Sequence, residues 1–518
     1  MGELVSDLEA SSEELIETHI SWVFLRGGEV FKVKKPVNFG FLNFSELSGR
    51  RLACLAEVQL NARLAPNVYI GVVPVTRGVA GLHTFGGSGE VVDHAVHMRR
   101  LPDAARADLR LEGGQLDGAD LEALAGTLAR FHAQAATSVE IAEYGGADAI
   151  ARNVKENFEQ ARAVLRQLGS DSAEREVEER QLAFLREHAD VIARRAATGR
   201  VRDGHGDLRL EHVYLVDGAE PVVIDCIEFN QRFRFADVCA DVAFLSMDLA
   251  WHERPDLKER FLAAYARASQ DYDMYAVVDF YESYRAYVRA KVTAFSLASR
   301  SLSFHERELL ESHARRYLLL SLAAERPRLG SPQLIAVGGI IGTGKSSVAG
   351  AMGERLAVPV LSSDETRKAL HGVAPMTKLS QAPWQAQYSP ATSAAVYDEV
   401  LRRARVVLGS GRSLVIDASF RSQAHRAAAR RLAVELGVAF RFVECRASEH
   451  IVRARLKLRS EGPSVSDGSL ALFDEFVARY EPVTELGSAE HLRVDTGRPL
   501  AATLAELELA EVIPRSSS

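Results

Sequence analysis

The 518-residue sequence predicts a multidomain protein of the α/β and α+β classes: a β-rich lobe and a helical lobe come first, and a domain with a parallel sheet follows. Three observations carry that expectation. Residues 19–100 alternate short strand-like runs with turns, residues from about 120 to 200 place apolar side chains at helical spacing, and from residue 333 apolar strands alternate with helical stretches.

In chain order, SWVFL, the turn RGG and EVFKVKKP form a hairpin pattern, a helix follows from about Phe44 to Leu64, and the strands VYIGVVPV and VVDHAVHM complete a lobe of residues 15–100. The helical lobe, 101–325, is interrupted once by GHGDLRLEHVYLVDGAEPVVID, in which Asp217-Gly218 supplies a hairpin turn. RPRLGSPQ then breaks the helical pattern, which places a linker at 326–332 and a further domain at 333–512. That domain offers the strands LIAVGG, VPVLSSD, SLVIDASF and AFRFVECRA.

Composition narrows the partners. With 63 Lys plus Arg against 70 Asp plus Glu, the net charge of -7 provides no global basic field for nucleic acid or anionic membrane. No apolar run reaches the ~18 residues of a membrane span, and the acidic start MGELVSDLEASSEELIE lacks the features of a signal peptide. Cys54, Cys226, Cys239 and Cys445 form no CxxC pair and read as core thiols in a reducing compartment. The expected location is the cytoplasm.

The strand from Gln333 to Val337 runs into GIIGTGKS, residues 339–346, and then into a helix, the context a P-loop requires. Gly339, Gly342 and Gly344, with Thr343, let successive backbone N–H groups turn around phosphates at a helix N-terminus; Ser347 continues that first turn. Lys345 is expected to reach the β and γ phosphates and Ser346 to hold Mg²⁺. VPVLSSD ends at Asp364, with Arg367 one helical turn on, and SLVIDASF brings Asp417 to a strand end as a second Mg²⁺ carboxylate. Arg455 and Arg459 share one face of an Arg-rich helix beside GPSVSDGS and are expected to close as a lid over the transferring phosphate. These features resemble the small P-loop kinases, the group holding gluconate and shikimate kinases, zeta toxins and polynucleotide 5′-kinases, over about Leu334 to Thr496. The resemblance implies a three-layer α/β/α P-loop NTPase fold, Asp364 as the acceptor's general base or orienter, and Arg367 and Arg455 gripping acceptor or phosphate.

Upstream, His205-Gly206-Asp207 is followed after a hairpin by Ile224-Asp225. A loop carboxylate that accepts a hydroxyl proton and a strand-end carboxylate that binds Mg²⁺ are what phosphoryl transfer needs. Lys32 and Lys34 point to one strand face with Val30, Glu57 stands mid-helix as a partner for the lysine, and Met98 leads into a hinge at an adenine edge. Residues 15–325 thereby resemble the aminoglycoside phosphotransferase family, whose fold is the bilobal protein-kinase one. The resemblance implies Asp207 as base, Asp225 as Mg²⁺ ligand, Lys32 as phosphate lysine, Asp237 and Asp241 as braces of the catalytic loop, and a role for Glu228 near a second Mg²⁺ or the acceptor. Where that family has Asn five residues after the base, this chain has His212 in the second metal position, an imidazole where Mg²⁺ prefers oxygen. THISWVFLRGG also lacks a GxGxxG loop.

Together the two resemblances fit fusions of an aminoglycoside phosphotransferase-like domain with a P-loop ATP-binding domain. They imply a bifunctional kinase using ATP, or GTP as the alternative, with Mg²⁺ and small hydroxyl acceptors of sugar or aminocyclitol type. Two other readings stand beside it. One is a P-loop kinase or ATPase whose first domain only senses a ligand; the other is a nucleic-acid end kinase or nucleotide-sugar kinase toxin, supported by Arg402, Arg403 and Arg405 and by Arg426, Arg430 and Arg431.

Overall fold

The alternating pattern of the first hundred residues becomes a six-stranded antiparallel sheet. Its strands are β1 (Glu14–Glu17), β2 (Ser21–Arg26), β3 (Glu29–Lys34), β4 (Tyr69–Arg77), β5 (His83–Phe85) and β6 (Glu90–Arg99), in the order β1-β2-β3-β6-β4-β5. The computed structural model describes residues 2–38, 40, 42–299, 302–324, 331–373, 389–460, 470 and 473–514. One face of the sheet buries Phe24, Phe31, Val33 and Val75 under Leu4 and Leu8 of the helix Gly2–Ala10, so the helix ahead of residue 15 belongs to this lobe. The other face packs Val96 and Met98, with Val30, against Cys54 of the helix Leu47–Asn61. Leu4 and Leu8, one turn apart, cover one face while Cys54 and its neighbours cover the other, which gives both faces of the sheet a core.

The helical lobe follows as long helices that include Gly118–Gln134, Ala147–Gln167 and Val238–Trp251. Asp117 caps the first of these and forms a capping box with Asp120. The helix Val238–Trp251 is buried from Val238 to Leu249, as its nearly continuous apolar sequence dictates. Two small ladders interrupt the helices: β7 (Val201–Asp203) pairs with β10 (Phe235–Asp237), and β8 (Val213–Tyr214) pairs with β9 (Val222–Val223) around the expected turn, where Gly218 has φ 76°.

The chain divides into two units, Met1–Arg254 with Phe280–Glu325, and Pro255–Asp279 with Arg326–Ser518. The helix Pro255–Ser269 and the 3₁₀ turn Tyr272–Ala276 therefore pack in the second unit, although in sequence they lie inside the 101–325 stretch. The second unit is built on a five-stranded parallel sheet of β11 (Gln333–Gly338), β12 (Val360–Ser362), β13 (Leu414–Asp417), β14 (Ala439–Arg446) and β15 (His491–Asp495), in the order β12-β13-β11-β14-β15. The strand β11, buried from Leu334 to Gly338, pairs with β13 on one side and β14 on the other, so the order reverses at its C-terminal end, where α/β sheets open a ligand crevice. The fold class is the expected one, a kinase-like α+β unit with a parallel-sheet P-loop unit. Among the described residues, no helix is long and apolar enough to cross a membrane. All four cysteines are free and buried.

Candidate active sites

In the second unit the crevice is closed by the loop after β11. Gly339, Gly342 and Gly344 take φ values of 136°, 80° and 79°, and a Cβ on Gly339 would stand 2.5 Å from the Cys445 carbonyl oxygen. Only glycine satisfies both demands. Thr343 Oγ1 donates to the Ile340 carbonyl at 2.8 Å, Lys345 Nζ donates to the same carbonyl at 2.9 Å, and Thr496 Oγ1 donates to the Thr343 carbonyl at 2.6 Å. The helix Lys345–Leu356 starts there, so its N-terminus and the Lys345 side chain flank one anion-sized space.

The expected metal residues meet. Ser346 hydrogen-bonds the Asp417 carboxylate at the end of β13; burial pushes the Asp417 carboxyl above its ordinary range against the pull of Lys345 and Ser346. Asp364 lies in the first turn of the helix Ser363–Leu370 rather than at a strand end, because β12 stops at Ser362, whose hydroxyl accepts from the Glu365 N–H at 3.3 Å. Lys345, Ser346, Ser347, Asp364, Arg367 and Asp417 line one cavity. Its far wall, which no motif announced, is Ser393, Tyr397, Ser419, Arg421, His425 and Phe476. There the Tyr397 and His425 rings stack at 3.7 Å, and Arg421 sits over the Phe476 ring. Ser393 and Tyr397 come from the helix Pro390–Gly409, Ser419 and Arg421 from the loop after β13, His425 from the helix Gln423–Glu435 and Phe476 from the helix Phe473–Ala478, so no single local pattern could have grouped them.

Arg455 does not line that cavity. Its Nη2 donates to the Thr496 carbonyl at 2.6 Å, and its buried Nη1, without a hydrogen-bond partner among the described residues, faces Gly344. The Arg459 side chain and GPSVSDGS, the rest of the expected lid, lie outside the described residues. The arginine clusters do not form an open basic field: Arg402 and Arg403 pair with Glu399, Arg405 with Glu435, Arg426 with Glu485 and Arg430 with Glu490.

In the first unit, Lys32 and Lys34 share Glu57, which is 1% exposed. Lys32 Nζ stands 2.9 Å from Glu57 and 2.6 Å from Asp225; Lys34 bridges Glu57 to Glu228. Burial opposes the charge on Lys32, but Asp225 and Glu57 outweigh it and hold the ammonium well above its ordinary pKa. For Asp225 burial is likewise the largest influence, yet Lys32 and His212 keep its carboxyl below the ordinary range. Asp225 adopts φ 63°, a left-handed backbone that costs roughly 1–3 kcal/mol and marks sites where a side chain must be aimed. Met98 lies opposite Val30 across β3 and β6, and both join the apolar cluster with Val222 and Ile224 beside this network.

The loop carrying Asp207 is tightly braced. Asp241 accepts from the N–H groups of His205 at 2.6 Å and Gly206 at 2.8 Å, and Asp237 accepts a two-pronged bond from Arg195 at 2.6 and 2.8 Å. Burial lowers the His205 imidazole to about 4, which suits its Nε2–H donating to the Ile224 carbonyl at 2.9 Å. Two residues unnoticed in sequence complete the loop. Arg209 grips both oxygens of Asp207 at 3.1 Å, and Asp248 accepts from the Leu210 N–H at 2.9 Å. Arg209 and His212 overcome the burial that would raise Asp207 and hold its carboxyl far below the ordinary range. His212 Nδ1 donates to the Asp207 carbonyl at 2.8 Å, leaving Nε2 3.9 Å from Asp225.

Comparison with known proteins agrees with this geometry. Residues 35–281 match the phosphotransferase enzyme family and residues 334–483 match an AAA domain. Uncharacterized proteins of Mycobacterium bovis and Mycobacterium tuberculosis are 35% identical over 456 residues, 88% of this chain and 88% of each relative. Among solved structures, a gluconokinase from Sinorhizobium meliloti (24% identity, TM-score 0.24) covers 36% of this chain and 97% of its own. An APS kinase from Mycobacterium tuberculosis (20% identity, TM-score 0.27) covers 36% and 99%.

Proposed function

We propose that this chain, which belongs to the same family as its mycobacterial relatives and joins a phosphotransferase-family domain to a P-loop kinase domain, is a bifunctional ATP-dependent kinase. Each unit holds one nucleotide and passes a phosphoryl group to a hydroxyl of a small, sugar- or aminocyclitol-like molecule. The observation that carries the reading is the convergence of Lys345, Ser346, Asp417, Asp364 and Arg367 on one cavity.

The Ser346 hydroxyl and the Asp417 carboxylate are hard oxygen donors and fit Mg²⁺. When bound, that ion supplies neutralisation of phosphate charge. Asp364 orients the acceptor hydroxyl and takes its proton as the oxygen bonds to phosphorus and the bond to ADP breaks. Lys345 and Arg367 oppose the charge that builds on the transferring group. In the first unit Asp207, Asp225 and Lys32 take the corresponding roles.

A second reading concerns that first unit alone. Arg209 occupies both oxygens of Asp207, and His212 offers nitrogen where Mg²⁺ wants oxygen, which favours nucleotide binding with weak transfer. ATP turnover across a panel of sugars, aminocyclitols, nucleosides and oligonucleotides, with Lys345→Ala and Asp207→Asn compared with wild type, separates the two. Loss of a different acceptor in each variant supports two kinases. Loss of all turnover in Lys345→Ala with none in Asp207→Asn leaves the first unit as a binding module, and no turnover anywhere sinks the proposal.

A further inference from the structure

The stretch Pro255–Asp279 leaves the first unit after Arg254, packs in the second, and returns at Phe280. Its contacts fall on the elements that carry the acceptor side of the P-loop site. Arg267 makes a two-pronged ion pair with Glu365, at 2.7 and 3.0 Å to Oε1, and Glu365 stands between Asp364 and Arg367 on the helix Ser363–Leu370. Tyr272 donates its hydroxyl to the Val360 carbonyl of β12 at 3.2 Å, just ahead of that helix. Arg412, buried before β13, is held by Glu259 at 2.8 Å and by both oxygens of Asp279, and β13 ends in Asp417.

We infer that Pro255–Asp279 is a brace that sets the acceptor half of the P-loop site, and that Arg267 is its positioning residue, acting through Glu365 on Asp364 and Arg367. The helix it holds has eight residues, too short to be stable without such anchoring. Glu365 is 4% exposed, so its charge needs a partner, and the three anchors of the brace fall on the helix Ser363–Leu370, on β12 and just before β13, away from the loop 339–346 that holds Thr343 and Lys345. The brace thus acts on acceptor placement and leaves the phosphate-binding loop alone. For catalysis this rests on the proposed role of Asp364 and Arg367; the positioning itself does not.

Hydrogen–deuterium exchange on the full chain tests it, comparing wild type with Arg267→Ala, Arg267→Lys and Glu365→Gln, alongside titration with a fluorescent ATP analogue. Because Arg267 is 60% exposed and its pair is partly screened, Arg267→Ala is expected to speed exchange in residues 363–370 by about three- to ten-fold. Exchange in residues 345–356 and affinity for the analogue should stay within about two-fold, and Arg267→Lys should recover part of the protection. Glu365→Gln reports on the same contact if Arg267→Ala fails to fold. Unchanged exchange at 363–370, or an equal rise across 345–356, would overturn the inference. Failure of ATP turnover in wild type would strike the kinase reading while leaving this readout to decide the brace.

Discussion

The proposed Mg²⁺ carboxylate Asp417 is buried at the end of β13. Burial raises its pKa, so ionising it costs more in the folded protein than in water. Asp417→Asn is expected to increase stability to urea by of order 1 kcal/mol while lowering ATP turnover by about 10²-fold or more. Asp241 has the opposite sign. Burial would raise it, but His132 and His205 hold it below the ordinary range, so its contribution is complete above a pKa of about 3.9 and is lost as the pH falls toward the lower folded value. Asp241→Asn, which leaves one of two backbone N–H groups poorly served, should cost about 1–3 kcal/mol in urea unfolding. That gap should be constant from about pH 7 to 5 and narrow below about pH 4; a gap that widens in acid would refute the assignment.

At the scale of elements, what lay contiguous in sequence was legible. GIIGTGKS between an apolar strand and a helix fixed the P-loop, and HGD, hairpin and ID placed Asp207 and Asp225 in one site. Glu57 was expected mid-helix as a partner for the lysine, and the structure pairs it with both Lys32 and Lys34, because two lysines on one sheet face require a carboxylate. Arg209 stood in the segment GHGDLRLEH but carried no signal, since its grip on Asp207 depends on a loop braced by Asp241 and Asp248 from a helix 35 to 38 positions away. The P-loop offers an element-scale prediction. Gly339→Ala combines a left-handed backbone with a Cβ 2.5 Å from a carbonyl oxygen that cannot move without shifting β14, so it should cost about 2 kcal/mol or more and abolish binding of an ATP analogue by titration.

On the scale of the whole molecule, the brace shows why domain limits read from a linear pattern fall short. Arg412 finds Glu259 across 153 positions and Asp279 across 133, distances at which sequence gives no hint of pairing. A fragment of residues 326–518 would lose Glu259 and Asp279 and also the Tyr275 ring that lies against the Arg412 guanidinium. Charge-assisted bonds of this kind contribute about 1.5–3 kcal/mol each, a large part of a domain's stability. The fragment is therefore expected to unfold at markedly lower urea than the second unit of the full chain, and Arg412→Leu, which removes the anchor, should lower the midpoint of the full chain while leaving that of the fragment little changed. Equal midpoints for fragment and full chain, followed by tryptophan-independent circular dichroism, would show that Pro255–Asp279 adds nothing to the fold of the second unit.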